Sequence, residues 1–281
     1  MSSLLCECDM LALYVVIDDA IKEMQLAYPK VGRPTIFTDS EIITILAYNT
    51  LMLRQKNLKD VLKFIELYHR KDFRKLPKYS TFIEHAHRTL PIMTEILSST
   101  LAISTINFAD STMLEVCTLK RADDHRVARN IAHFGKNHQG WHYGFKLHAS
   151  INSRGSLSSL CFSPANMHDA QMLPKLIKNH MKIVIGDSTY GASVMRKYIW
   201  ETYKTFVIAP PHWKQKTKIA TMWQNALLNM RSKIESTYDI LKQHFHLVTS
   251  FPRSIEGYFV HYVRVLLAYQ FSVMIKYAQL S

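Results

Sequence analysis

The residues best suited to chemistry in this chain lie in two Asp-Ser-Thr triplets: Asp110 in INFADST and Asp187 in KIVIGDST. Each follows a short apolar run, Ile106 and Phe108 before the first, and Ile183, Val184 and Ile185 before the second. Short runs rich in β-branched residues read as buried strands. A carboxylate at the end of such a strand is costly to desolvate unless it is paired or holds a metal. One aspartate so placed suits a helix cap or a turn. Two, with a third carboxylate downstream, point to a metal site.

The third carboxylate is Glu235, in the stretch TMWQNALLNMRSKIESTYDILKQHF. The spacing of Trp223, Leu227, Met230, Ile234, Leu241 and Phe245 predicts one long helix over 221–245 with a single apolar stripe. Arg231, Glu235 and Lys242 form a second stripe beside it, so Glu235 sits at the edge of the buried face. The alternative for Arg231 and Glu235 is an ordinary i,i+4 surface ion pair.

Arg-x3-Glu-x6-Lys, downstream of two strand-end aspartates, resembles the catalytic region of DDE transposases from bacterial insertion sequences. In the branches with a tyrosine–arginine–glutamate–lysine signature, the last three residues have this spacing, and Leu228 stands here at the tyrosine position. FADSTMLEVC is similar to the family's first-aspartate block, GWHYGFKLHASIN to the hairpin after it, and SPANMHDAQMLPKL to the next segment. GDSTYG resembles the second-aspartate block, with Ser188 where many relatives carry lysine. The order of the blocks over 105–245 and the RSKIESTYDILKQ helix look closest to the nine-eighty-two group of insertion sequences.

The resemblance implies an α/β fold: an RNase H-like mixed sheet flanked by helices, which brings both aspartates onto neighbouring strands. It implies two Mg²⁺ ions, replaceable by Mn²⁺, held about 3.5–4 Å apart for in-line displacement at phosphorus. Asp110 would bridge the ions, with Asp187 and Glu235 each completing one site. Arg231 and Lys242 would contact DNA near the scissile phosphate. The implied activity is cleavage at the element's terminal inverted repeats and strand transfer into target DNA, by a homodimer or larger synaptic assembly. A metal-dependent nuclease without strand transfer, and a catalytically silent DNA-binding relic, stay open as alternatives.

Composition fits a DNA partner. The net charge of +13 and pI near 9.5 favour a polyanion. YFVHYVRVLLAYQFSVMIKY comes nearest to a membrane span, but His261, Arg264 and Gln270 interrupt it, so it reads as a buried C-terminal helix. The N-terminus lacks the pattern of a secretory signal, and four scattered cysteines read as reduced thiols of a cytoplasmic protein; the resemblance further implies association with the bacterial nucleoid.

The elements that must position the site divide near residue 102. Residues 1–101 read as an all-helical, DNA-binding domain, and 102–281 as the catalytic domain ending in C-terminal helices. In the first part, LLCECDMLALYVVIDDAIKEMQ is one helix and Thr38 opens another as a cap. LKDVLKFIELYH is a third helix, and STFIEHAHRTL a fourth stopped by Pro91. This part carries Arg54, Lys56, Lys59, Lys63, Arg70, Lys71, Arg74, Lys75 and Lys78. Such residues give salt-dependent phosphate contacts, unless the acids among them make this an ordinary solvated surface.

In the second part, the expected strands are 104–110, 141–151, 157–163, 182–187 and 205–209. Alternation over 141–151 puts Lys146 and His148 on one face, as DNA contacts or as a polar surface. Asp169 reads as a helix N-terminal residue. The gaps between His133, His138, His142 and His148 fit no zinc motif. Lys214, Lys216 and Lys218 mark a short insertion before the glutamate helix.

Overall fold

A computed structural model describes residues 9–26, 37–137, 140–210 and 221–278. Cys6, Cys8, His138, the GRPTI stretch and the Lys214–Lys216–Lys218 segment lie outside the described residues. The chain forms two compact units.

The first unit is helical: α1 (Met10–Glu23), α2 (Asp39–Tyr48), α3 (Leu58–Tyr68), α4 (Tyr79–Arg88), α5 (Leu90–Ser99) and a C-terminal α10 (Ile255–Ala278). Thr38 opens α2 with a capping box: its hydroxyl accepts from the Glu41 N–H, and the Glu41 carboxylate accepts from the Thr38 N–H. The residues that follow, Ile42 to Ala47, are buried without interruption, so α2 runs through the middle of its unit. Pro91 does not stop α4, which ends at Arg88. It lies in the first turn of α5, where its missing N–H would have had no helical partner.

The C-terminal helix was expected to close the catalytic domain. It packs instead on α2 and α5, within the helical unit. By length and composition α10 is able to span a bilayer, yet 78% of its apolar window is buried inside the protein. Two of its buried polar residues bond internally. Arg264 Nη2 donates to His261 Nδ1 over 3.0 Å, and His261 Nε2 donates to the His246 carbonyl over 2.8 Å. Burial pushes His261 down to about 3, so the ring is neutral, and pushes Arg264 down to about 10.

The second unit is built on a mixed sheet of six strands: β1 (Ile106–Glu115), β2 (His133–Asn137), β3 (Gly140–Ile151), β4 (Leu157–Pro164), β5 (Ile183–Ile185) and β6 (Phe206–Ile208). The order is β2-β3-β1-β5-β6, with β4 also on β3. β1 runs antiparallel to β3 and parallel to β5, and β6 continues parallel. Helices α6 (Asp169–Leu176) and α7 (Ser193–Tyr203) cover one face. There Leu173, Leu176 and Ile199 close over Ala109, Val184 and Val207. This is the mixed α/β class expected, with a helical region before it.

Three local features depart from the sequence reading. β1 does not end at Asp110: Thr112, Met113 and Leu114 continue it, paired with Leu147, Lys146 and Phe145 of β3. β2 was not expected, because its HFGKN sequence is polar with a central glycine. It is held by pairing with β3, and Gly135 is required where a Cβ would lie 2.3 Å from the Ala165 carbonyl oxygen.

The long helix over 221–245 is instead α8 (Met222–Asn229), α9 (Ser232–Asp239) and a π turn at Ile240–His244. Between α8 and α9 the amides of Met230, Arg231, Lys233 and Ile234 bond three residues back, as in a 3₁₀ turn. Asn229 and Ser232, which compete with the helix for backbone bonds, sit at that joint. The tighter turn shifts the phase, so the expected stripe is not continuous. Ile234 and Leu241 are buried, while Trp223 and Met222 are exposed.

Candidate active site

The pairing of β1 with β5 fixes the two aspartates. Ile106 faces Ile183 and Phe108 faces Ile185. Two residues further along are Asp110, still on β1, and Asp187, past the last residue of β5, so both leave the paired stretch at the same end and lie close enough for the Asp187 charge to act on Asp110. Asp187 lies just past the end of β5 and caps the 3₁₀ turn Ser188–Gly191. Its Oδ1 accepts from the Thr189 N–H at 2.9 Å and from the Thr189 hydroxyl.

Asp110 is largely desolvated. That burial raises its carboxyl from 3.8 to about 6, against a lowering hydrogen bond from the Ser111 N–H at 2.8 Å. Asp187 and Asp169 push it further up, and Arg231 pulls it down. A largely desolvated acid close to a second carboxylate just past the adjoining strand has the chemistry of a cation site, and Mg²⁺ accepts one or two carboxylates with water filling its other positions. The two aspartates therefore fit such an ion.

Glu235 is placed differently. Its carboxylate accepts from Arg231 Nη2 at 2.5 Å with the glutamate side chain half exposed, which is the i,i+4 pair held open as the alternative. Among the described residues, no three His, Cys, Asp or Glu side chains converge closely enough to hold an ion. The tie between the glutamate helix and the first strand runs through Tyr238, one turn beyond Glu235. Its buried hydroxyl donates to the Asp110 backbone carbonyl at 2.7 Å. Burial raises the phenol well above its ordinary value, with Asp110 adding to the shift, so it stays protonated and able to donate.

The other basic candidates separate from the aspartates. Lys242 lies on the π turn, where burial lowers its ammonium while Glu115 and Asp239 hold it up. Of the two basic residues assigned with Glu235, only Arg231 acts on Asp110. Lys146 and His148 are on the far face of the sheet: His148 pairs with Ser111, whereas Asp110 pairs with Ala149. His148 is fully buried, with Nε2 bonded to the Ser163 hydroxyl at 2.8 Å, and burial pushes its ring down to about 4. Lys146 Nζ donates to Asp169 at 2.8 Å and to the Met167 carbonyl at 3.0 Å. A buried ring and a paired, mostly buried ammonium are not open to DNA, so the expectation of DNA contact there is corrected to an internal network.

Asp169 does start α6, as expected, but it also closes this network, with His148 Nδ1 3.8 Å away. Replacing Asp169 by Ala leaves a mostly buried lysine without its counter-charge. It is expected to cost about 3 kcal/mol, read as a lower denaturant midpoint in urea unfolding.

A family model described as "Transposase DDE domain" matches residues 101–255, more than half of the chain. The chain belongs to the DDE transposase family. Every candidate site residue of this transposase lies within the matched stretch, and its sheet order and flanking helices are those of an RNase H-like DDE domain. No solved structure matches the chain.

Two site residues were missed in the sequence. Tyr238 was hidden because nothing in helical spacing tells that a tyrosine will reach a strand carbonyl. Tyr190, three residues after Asp187, is buried with a hydroxyl that has no hydrogen-bond partner among the described residues. Burial raises its phenol well above the ordinary value, with Asp169, Asp110 and Asp187 adding to it. The GDSTYG block contained that tyrosine, but only the fold shows that it turns inward.

Proposed function

We propose that this transposase cleaves DNA at the ends of its own insertion sequence and joins the ends to target DNA, using a divalent cation held by Asp110 and Asp187. The observation that supports it most is the register of the parallel pair β1 and β5, which puts Asp110 on β1 two residues past Phe108 and Asp187 two residues past Ile185, just beyond the end of β5; Asp110 is a largely desolvated acid. A bound Mg²⁺, or Mn²⁺ in its place, would supply Lewis-acid stabilisation of the charge that builds on phosphate oxygens. Glu235 is proposed as the third carboxylate, reached by exchange of its Arg231 partner when DNA phosphate competes for the guanidinium. Arg231 then serves as the phosphate contact. Lys242 is kept as a second DNA contact, further from Asp110.

Chemically, water opens the phosphodiester at the element end and leaves a 3′-hydroxyl. That hydroxyl attacks a target phosphodiester, forming one bond to phosphorus as the other breaks, with no covalent protein–DNA intermediate. Residues 1–101 are proposed to bind DNA: Arg54, Lys56, Lys59, Lys63, Arg70, Lys71, Arg74, Lys75 and Lys78 are all exposed, which suits phosphate contact. Holding two ends at once calls for a dimer or larger assembly. Membership of the nine-eighty-two group rests on the block order and the RSKIESTYDILKQ helix.

The test uses the full chain with duplexes carrying the sequences that flank its gene, with Mg²⁺ or with chelator. Release of a 3′ end and its joining to a plasmid, both lost in chelator, is expected. Cleavage without joining would favour a nuclease. Binding without metal-dependent chemistry on ends that a working relative cuts would leave a DNA-binding relic.

A further inference from the structure

The β2–β3 hairpin carries a surface that neither the sheet core nor the carboxylates use. Register puts Phe134 opposite Tyr143 and Lys136 opposite Trp141, so these four side chains share one face. Tyr143 is buried beneath, with its ring centroid 4.9 Å from that of Phe134. Phe134 and Trp141 are 44% and 55% exposed, too open for core residues. Lys136 Nζ stands 5.7 Å from the centroid of the Trp141 ring, a cation–π contact at the surface.

The reverse side is pinned. His142 is buried, with one ring nitrogen on Glu115 of β1 and the other on Asn137 of β2 at 2.8 Å. The aromatic face is therefore held rather than left to collapse onto the sheet. The chain before it supplies charge: Lys120, Arg121, Arg126 and Arg129 are exposed, as is Lys136, against only Asp123 and Asp124.

Exposed aromatic rings interleaved with cations, on a pre-set backbone, match what unpaired nucleotides need. Every base has a π-face that stacks on an aromatic ring, and the cations meet the phosphates between them. An apolar protein partner would leave Lys136 and the arginines uncompensated. We propose that the Phe134–Lys136–Trp141 face of this hairpin is a stacking platform for unpaired bases of DNA. The proposal rests on the DNA reading above and adds to it a surface that distinguishes unpaired strand from duplex.

The test compares the full chain with Trp141→Ala and Trp141→Phe. The probes are a blunt fluorescein-labelled duplex and the same duplex with a 3′ oligothymidine tail. Wild type is expected to bind the tailed probe more tightly. Trp141→Ala should lose on the order of ten-fold on the tailed probe, with little change on the blunt one, and Trp141→Phe should restore most of the loss. An equal loss on both probes, or no loss on either, would overturn the platform and leave the DNA reading standing. Wild type binding neither probe would remove both. A change in self-association of Trp141→Ala at unchanged tailed-DNA affinity would instead make the face a protein contact, and the proposal would fall.

Discussion

Asp187→Asn is expected to bind element-end DNA as the wild type does and to lose metal-dependent cleavage by more than about 100-fold. The comparison point is loss of an outer-shell partner, which already costs a metal site about 10–100-fold. The substitution is well suited to separate binding from chemistry. The carboxylate caps its turn by accepting two bonds from Thr189 through Oδ1, and an amide oxygen accepts the same two. What the amide removes is the negative charge and one of two donor oxygens. Gel shift and cleavage assays on one DNA, with a thermal melt alongside, give the result. A mutant that still cuts at near the wild-type rate would exclude Asp187 from the reaction.

The second large effect is on stability, and its sign is opposite to intuition. Asp110→Asn should make the metal-free protein more stable at neutral pH, by about 2–3 kcal/mol, while removing cleavage. The carboxyl titrates at about 6 in the folded chain against 3.8 in the unfolded one, mainly because burial penalises the charged form. Below 3.8 both states hold the proton, and the burial penalty on charge is absent. Between 3.8 and about 6 the unfolded chain releases its proton while the folded chain keeps it. Stability thus falls as pH rises through that window and stays lower above it. Asparagine carries no charge at any of these values. Urea unfolding in chelator at pH 4 and pH 7.5 should show the gain at the higher pH and little of it at the lower. Equal stability of the two proteins at pH 7.5 would show that Asp110 is not desolvated.

Much of the arrangement could be read from residue order, for identifiable reasons. The β3, β4, β5 and β6 segments were legible because burial on the sheet imposes apolar or alternating patterns over at least three residues. Asp110 and Asp187 could be singled out as candidates because a carboxylate after an apolar run is costly to desolvate unless it is paired or holds a metal. β2 was not, since its strand state comes from its partner and not from its own HFGKN sequence. The joint at Met230–Arg231 was also missed: every residue there keeps a right-handed helical backbone, and only the bonding changes from four residues to three.

Lys146 and His148 show a further reason. Alternation correctly put them on one face, but which face of a sheet is covered by helices is decided by connections elsewhere in the chain. Here α6 covers it and supplies Asp169. Likewise, the spacing of Arg231 and Glu235 is equally good for a surface ion pair and for a metal-bound glutamate, and the structure has the ion pair.

The bond from Tyr238 to residue 110 is made to the backbone carbonyl, so it does not depend on which side chain position 110 bears. Loss of the acid by mutation therefore need not unseat the glutamate helix. On the proposed reading, a copy of the element that drifts from Asp110 to Asn yields a folded protein that still occupies element ends and cannot cut them. Such a copy is a competitor of its active siblings in the same cell, and the number of decayed copies would then set a brake on the movement of the intact ones.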